Sequence, residues 1–449
     1  MKRNVFIPAL EEQQRIELET LRNTDELSFH GLLDIPTLIE PTSLRFNQVL
    51  AKARQELNEL KQFTGSVDAI IAHWDFPTSV LVPILCREYD IPAPSLESVL
   101  KCEHKYWSRL EQQKVIPEMV PAFCSVDPFA DNPLEQVTLD YPFWLKPVKA
   151  FSSQLGFKIE NEEQFHAAIE ETRDKIRHFG EPFNEALEHA DLPPEIHHAD
   201  GNTCIAEQII SGTQGAPEGT MYRGEFNVHG VFDQPKDEGE EMWGRLEYPS
   251  SMPERIQRQM IDASRRFLEH IGYDNGCFNA EFMWDEEQDQ LWLVEFNTRI
   301  SQSHSEMFIM VDGMSNHEVA IDIALGQRPS MANRQGPYAV AAKCLIPHER
   351  KDGIVRRVPS LKELDALRDR FPGTKVRLSV ESGMRLSELP NQDSYSYHIG
   401  TIYLGADTHE QIKEHYHACL EALHFEFDPV ADERPPMDGD NSPSVNLSA

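Results

Sequence analysis

Over the first hundred residues, short all-apolar runs alternate with longer stretches whose apolar residues recur every three or four positions. Val5-Phe6-Ile7 and the run Val67 to Ala72 read as buried strands, and 10–21, 44–60 and 76–89 read as helices. Such alternation favours a parallel sheet with helices on its faces. The pattern therefore predicts a small doubly wound α/β domain over 1–104. A helix follows at 105–114, then a strand at 143–147, a polar loop, a short strand at 157–159 and a helix from Glu162. The stretch 173–202, dense in charge, His and Pro, predicts a helix and a loose connection that is the least ordered internal segment. Strands are expected at 204–210 and 219–231, and a helix at 253–271. Two β-prone runs about the polar turn 285–290 predict an antiparallel hairpin, and a helix is expected at 315–325. Beyond Pro329 the runs shorten and glycine turns appear, with strands at 338–346, 375–380 and 396–404 and a helix at 408–423. These predict a separate small α+β lobe over 331–430. The polar tail 431–449 reads as disordered.

Length and composition narrow the class. A chain of 449 residues is too long for one core, and 40% hydrophobic with 26% charged residues is the balance of a globular protein. No apolar run approaches a bilayer span, and the stretch after Met1-Lys2-Arg3 is too short for a signal peptide. Seven scattered cysteines without Cys-x-x-Cys spacing argue against a disulfide framework or zinc knuckle and imply a reducing, cytoplasmic setting. With 42 basic against 75 acidic residues, the net charge of −33 repels nucleic acid and anionic membranes. No partner of either kind is expected, and any nucleotide site must rely on local lysines and metal ions. A homodimer is the commonest assembly for such a chain.

The hairpin segment from Phe278 to Arg299 carries the strongest chemical signal. Strand side chains alternate between faces, so Glu295, Asn297 and Arg299 share one side while Trp292, Val294 and Phe296 fill the other. A register pairing Trp284 with Trp292 sets Glu281 opposite Glu295. Like charges directly across a sheet repel, so the arrangement calls for a cation. Two carboxylates and an amide oxygen suit Mg²⁺ or Mn²⁺ better than Zn²⁺. The plain alternative is a surface hairpin with a charged wet side.

Other candidates are weaker taken singly. Lys146 ends an apolar strand before a loop with Ser152, Ser153 and Gly156, which could cover phosphates with backbone N–H groups and one fixed charge; a solvated strand-end lysine is the plain reading. Lys105 heads a helix, as many exposed lysines do. Glu207 and Gln208, with the backbone toward Ile210, could read the ring edge of adenine. His304 could act as acid or base, although a polar-loop histidine is more often merely exposed. The 243–245 segment is a further guess for the cleft wall. The chain has no Gly-x-Ser-x-Gly, Walker-type Gly-Lys-Ser/Thr or Gly-x-Gly-x-x-Gly.

In order and spacing these pieces resemble the ATP-grasp superfamily. Glu295-Phe296-Asn297-Thr298-Arg299 with Glu281 upstream looks like its metal motif, and Lys105, Lys146-Pro147 and Glu207 fall where its ATP lysines and adenine hinge fall. The resemblance implies an N-terminal doubly wound domain, a double α+β grasp domain over 105–330 divided near 203–210, and a C-terminal α+β lobe. It further implies ATP held by Lys105, Lys146, Ser153, Gly156, Glu207, Gln208 and Ile210, with Mg²⁺ on Glu281, Glu295 and Asn297. Arg299 would be the catalytic residue. Asn-Thr-Arg-Ile is similar to biotin carboxylase, but that group's bicarbonate-handling glutamate would fall on Ser303, and its Gly-rich lid is replaced by 150–156. The Ser-rich loop is more similar to the amino-acid ligases, which join a small-molecule carboxylate to an amine. Such a ligase is the leading expectation; a biotin-type carboxylase and a non-catalytic Mg-ATP-binding protein are the alternatives.

Overall fold

The structure is a computed structural model, which describes residues 2–39, 45–150, 155–235, 244–349, 351–389 and 396–430. The tail expected at 431–449 lies outside the described residues. Those residues form four sheets. The first is parallel, with β1 (Arg3–Pro8) between β2 (Leu27–Leu32) and β3 (Ala69–Ile70). The chain leaves β1 on one side and returns on the other, the ordering of a doubly wound sheet. The apolar pattern passes over β2, whose Ser28, His30 and Gly31 interrupt the run. Helices Phe46–Thr64 and Thr78–Glu88 supply Phe46, Leu50, Leu57, Leu81 and Leu85 to the core around Val5, Phe6 and Ile7.

The second sheet is antiparallel, in the order β4 (Phe123–Val126), β7 (Cys204–Gln208), β5 (Phe143–Pro147), β6 (Phe157–Ile159). Its core of Phe143, Leu145, Cys204 and Ala206 is covered by Phe165 and Ile169 of helix Glu162–Lys175. Over 173–202, where one helix and a loose connection were expected, the chain forms two helices, Arg177–Leu187 and Pro194–His198. Phe183 and Ile196 are fully buried there, and Phe183 meets Phe76 edge-on at 5.4 Å. Their apolar side chains join the core of the parallel sheet.

The third sheet has eight strands. It begins with the hairpin of β8 (Thr213–Tyr222) and β9 (Glu225–Gln234), turning at Arg223-Gly224, where one strand was expected. It continues through β10 (Arg245–Tyr248), β11 (Gly276–Asp285), β12 (Gln290–Asn297), β13 (Val340–Glu349), β15 (Lys375–Leu378) and β16 (Ser396–Ala406). The strand order is β12-β11-β8-β9-β10-β13-β16-β15. A ribbon of β14 (Gly353–Arg357) and β17 (Glu426–Pro429) completes the set. Strands β13, β15 and β16 thus extend the eight-stranded sheet, while β14 and β17 pair apart from it. They pack a core of their own from Val340, Ala342, Cys344 and Ile402 against helix His409–Ala422. Among the described residues, which include all seven cysteines, no disulfide forms.

Candidate active site

The hairpin β11–β12 sets the site. Glu281 pairs with Glu295 and Asn279 with Asn297, but Trp284 pairs with Leu291 and Met283 with Trp292. The register shifts between Glu281 and Phe282, which leaves Val294 as an extra residue on β12. The assumption that Trp284 faces Trp292 is therefore off by one. The bulge also changes the alternation: Leu291, Leu293 and Phe296 fill the core, while Trp292 lies on the side of Glu295 and Asn297. Val294 is half-buried, not a core residue.

Around the carboxylates the donor set is rich in oxygen. Gln214 on β8 donates to Glu281 at 3.0 Å, and the Asn297 amide donates to its other oxygen at 3.2 Å. The buried Asn279 amide nitrogen has no partner among the described residues. A half-turn of either amide would present oxygen in its place. Two opposed carboxylates beside amides fit a hard divalent cation.

Lys105, at the start of helix Lys105–Val115, reaches Glu295 at 3.7 Å. Burial is the largest influence on its ammonium and pulls its pKa down, against the pull of Glu295. Lys146 ends β5 and binds Glu207 at 2.6 Å. The same carboxylate takes Arg109 Nε at 2.6 Å, and Arg109 donates onward to the carbonyls of Leu293 at 2.8 Å and Val294 at 3.0 Å. Arg109, only 3% exposed, thus clamps the bulge to the β7 hinge. Burial pushes Glu207 up, but Arg109 and Lys146 overcome it and hold the pKa at about 2. Lys149 pairs with Glu103 and lies 5.7 Å over the Phe76 ring.

Arg299 is held by the N-terminal domain. Its Nε and Nη2 both donate to Asp75 at 2.7 Å, a bidentate fork. Burial penalises both charges, yet each partner keeps the other ionised: Asp75 is shifted down and Arg299 up. Glu218, on β8 across from Asn279, accepts from His304 Nδ1 at 2.5 Å and from the Asn316 amide at 2.7 Å. His304 is fully buried in helix Gln302–Asp312 and stacks on Phe232 at 3.6 Å, so it is not the exposed loop residue expected. Burial, opposed by Glu218, lowers its pKa.

The structure thus brings Glu281, Glu295, Asn297, Lys105, Lys146, Glu207 and Arg299 into one connected set of polar and charge contacts. Gln208 is exposed, with its backbone N–H bonded to the Ala122 carbonyl at 2.8 Å, and Ile210 is half-buried beyond it. Gly156 is half-buried before β6. Ser153 and Trp243 lie outside the described residues. Arg245 is buried with Glu247 on the opposite face of the sheet from Leu246, so the guess that it lines the cleft is corrected. Sequence reasoning missed Asp75, Glu103, Arg109, Lys149 and Glu218. Arg109 alone carried a local signal, one helical turn beyond Lys105.

Comparison with known proteins follows the same lines. Residues 139–306 match the family model of the ATP-grasp domain. An uncharacterized protein of Sinorhizobium fredii, y4rH, is 22% identical over 358 residues, 78% of this chain and 66% of the relative. The chain therefore spans just under two thirds of that relative's length. Among solved structures, an L-amino acid ligase from Bacillus licheniformis superposes with a TM-score of 0.68 at 15% identity, covering 95% of this chain and 99% of that one. A biotin carboxylase from Campylobacter jejuni gives 0.63 at 16%, covering 95% and 92%. A carboxyaminoimidazole ribonucleotide synthase from Aspergillus clavatus gives 0.63 at 14%, covering 94% and 98%. At these identities the likeness is one of fold.

Proposed function

We propose that the chain, whose residues 139–306 match the family model of the ATP-grasp domain, is an ATP-dependent ligase joining a small-molecule carboxylate to an amine, with release of ADP and phosphate. The observation that carries this reading is the Arg299–Asp75 fork beside the opposed pair Glu281 and Glu295. A module that only stores ATP has little use for a guanidinium fixed at the end of the metal hairpin. The three solved structures named above include an L-amino acid ligase and a carboxyaminoimidazole ribonucleotide synthase, whose names fit carbon–nitrogen bond formation.

In this reading Lys105 and Lys146 offset phosphate charge on ATP, and the backbone of Gln208 to Ile210 receives the adenine edge. Glu281, Glu295 and Asn297 would hold Mg²⁺ or Mn²⁺, which supplies neutralisation of phosphate oxygens when bound. A carboxylate oxygen of the first substrate attacks the γ-phosphorus in line, the bond to the β-phosphate oxygen breaks, and ADP departs. The amine of the second substrate then attacks the acyl carbon. The carbon–oxygen bond to phosphate breaks, the amide forms and the ammonium proton is released. Arg299, kept in one orientation by Asp75, stabilises negative charge on the acyl oxygen and the departing phosphate. The carboxylase alternative is disfavoured by Ser303, a neutral residue that accepts a hydrogen bond from Lys343 where a glutamate would be needed.

The test is ADP release with Mg-ATP across a matrix of carboxylic acids and amines, with bicarbonate plus biotin as one arm and Glu295→Gln as the blank. Release that requires both an acid and an amine, and vanishes in Glu295→Gln while its circular dichroism is unchanged, is the expected result. Release driven by bicarbonate and biotin alone would overturn it, as would full activity in Glu295→Gln.

A further inference from the structure

Three consecutive residues, Glu103 to Lys105, tie the helices beside the parallel sheet to the second sheet. Helix Leu96–Glu103 ends at Glu103 and helix Lys105–Val115 begins at Lys105, with His104 at the turn between them. The His104 ring fixes that turn. Its Nδ1 accepts from the Trp107 N–H at 3.2 Å, and its Nε2 donates to the Ala199 carbonyl at 2.7 Å. Burial brings its pKa down to about 4, so the ring stays neutral and keeps one donor and one acceptor. Lys105 donates its backbone N–H to the Val148 carbonyl at 3.0 Å, and the Val148 N–H bonds the Thr203 carbonyl at 2.9 Å. Glu103 completes the tie by pairing with Lys149.

Each side chain of that ion pair is only 7% exposed. Taking two charges out of water is unfavourable, and an apolar pair of similar size fills such a space about as stably. Stability alone therefore does not call for charges here. What an ion pair adds is direction, because a charge-assisted hydrogen bond fixes both distance and angle. Its placement gives that direction a use. Lys105 lies two residues beyond Glu103, and Lys146 lies three residues before Lys149. The pair, with the backbone bond from Lys105 to Val148, thus joins two short segments that each carry one of the lysines assigned to phosphate. Burial is the largest influence on Lys105, and the charges it feels are Glu295, Lys149, Lys146 and Glu103 in that order. Three cations within mutual range drive the segments apart, and the Glu103 carboxylate opposes this. On the other side Lys149 lies 5.7 Å over the ring of Phe76, the neighbour of Asp75 in the Arg299 fork.

We propose that Glu103 and Lys149 are positioning residues for the phosphates of ATP: their ion pair holds Lys105 and Lys146 at one fixed spacing beside Glu295. The phosphates then meet both ammonium groups without the two segments first having to be brought together. Neither Glu103 nor Lys149 has to touch the nucleotide; the pair acts through Lys105. This rests on the ATP-binding part of the reading above and not on the acid or the amine.

The experiment measures Mg-ADP affinity by titration calorimetry, which needs neither substrate. The variants are Glu103→Leu/Lys149→Met, which fills the space with an apolar pair, Glu103→Asp, which retracts the carboxylate by a single methylene, Lys105→Gln, and each of the first two combined with Lys105→Gln. The apolar pair should unfold close to the native midpoint yet bind Mg-ADP roughly 10-fold more weakly, the share of a charge-assisted contact that a displaced Lys105 forfeits. Glu103→Asp should lose about threefold on the same scale. Neither loss should add to that of Lys105→Gln, because the pair works through that lysine. Native affinity in the apolar-pair variant, or the same loss repeated on top of Lys105→Gln, would overturn the proposal. Should the apolar pair not fold, Glu103→Asp decides alone, and an unmoved affinity in it overturns the proposal. Absence of ADP release with every acid and amine would remove the ligase reading, while the expected affinities would still support the positioning role. A native chain that does not bind Mg-ADP would overturn both.

Discussion

Replacing Arg109 by lysine tests whether the metal hairpin is held from the hinge. In the native chain one buried guanidinium donates to Glu207 at 2.6 Å, to Gln112 at 2.7 Å and to the Leu293 and Val294 carbonyls at 2.8 and 3.0 Å. Lysine keeps the charge but has no planar fork. It can stay with Glu207 only by giving up the two carbonyls, and each buried acceptor left without a donor costs about 1–3 kcal/mol. Partial rescue by water and a shifted ammonium brings the expected loss to about 2–4 kcal/mol, below the ~3–5 kcal/mol of removing one partner of a buried ion pair outright. Urea unfolding monitored by tryptophan fluorescence reads the stability change. The functional consequence is separate. Glu295 follows Val294 directly, so a relaxed bulge displaces its carboxylate, and half-saturating Mg²⁺ for ADP release should rise several-fold. An Arg109→Lys protein with an unchanged unfolding midpoint and an unchanged Mg²⁺ titration would refute the reasoning.

Two further outcomes follow from the ion pairs of the cleft. Glu207 has its pKa depressed to about 2 in the folded chain against an ordinary value of 4.5. It therefore contributes stability that is full above pH 4.5 and lost as pH falls toward 2. Glu207→Gln should flatten that acid limb in an unfolding-midpoint profile, and a limb of unchanged slope would count against it. Asp75→Asn removes the negative charge and one of the two acceptor oxygens of the Arg299 fork, so kcat should fall at least about tenfold with the KM for ATP little changed; an equal rise in the KM for ATP would instead mean that Asp75 acts on nucleotide binding.

How much of this was legible depends on whether the information was local. The hairpin could be read because carboxylates and amides interrupt an apolar run, and Glu281 does face Glu295, although the Trp284–Trp292 register from which that was read is off by one. The tryptophan anchor misled, since a single bulge at Val294 shifts the partner of every residue beyond it and no residue type announces it. The Arg299 partner was not readable: Asp75 lies 224 positions away in the fork, within His73-Trp74-Asp75-Phe76-Pro77, where nothing in the local pattern points to the hairpin. His304 read as a loop residue because Ser301, Ser303 and Ser305 surround it. All three are buried at the helix start, and the ring packs on Phe232, contributed by β9. The C-terminal strands were visible as strands, but their membership of the grasp sheet depends on pairing β10 with β13 across some ninety residues.

That shared sheet also governs how the chain may be divided. Severed between Leu325 and Val340, the N-terminal piece would end its sheet at β10, four residues long and stripped of its β13 partner. Its unpaired N–H and C=O groups would line a raw edge of the kind that invites strand addition from a neighbouring molecule. The helix that carries Ser303 and His304 would at the same time lose Ala341, Leu345 and Tyr403 from beneath its apolar side. The residues after 330 thus supply three of the eight strands of the sheet that also carries Glu281 and Glu295, and a cut there would unmake a floor shared by both sides.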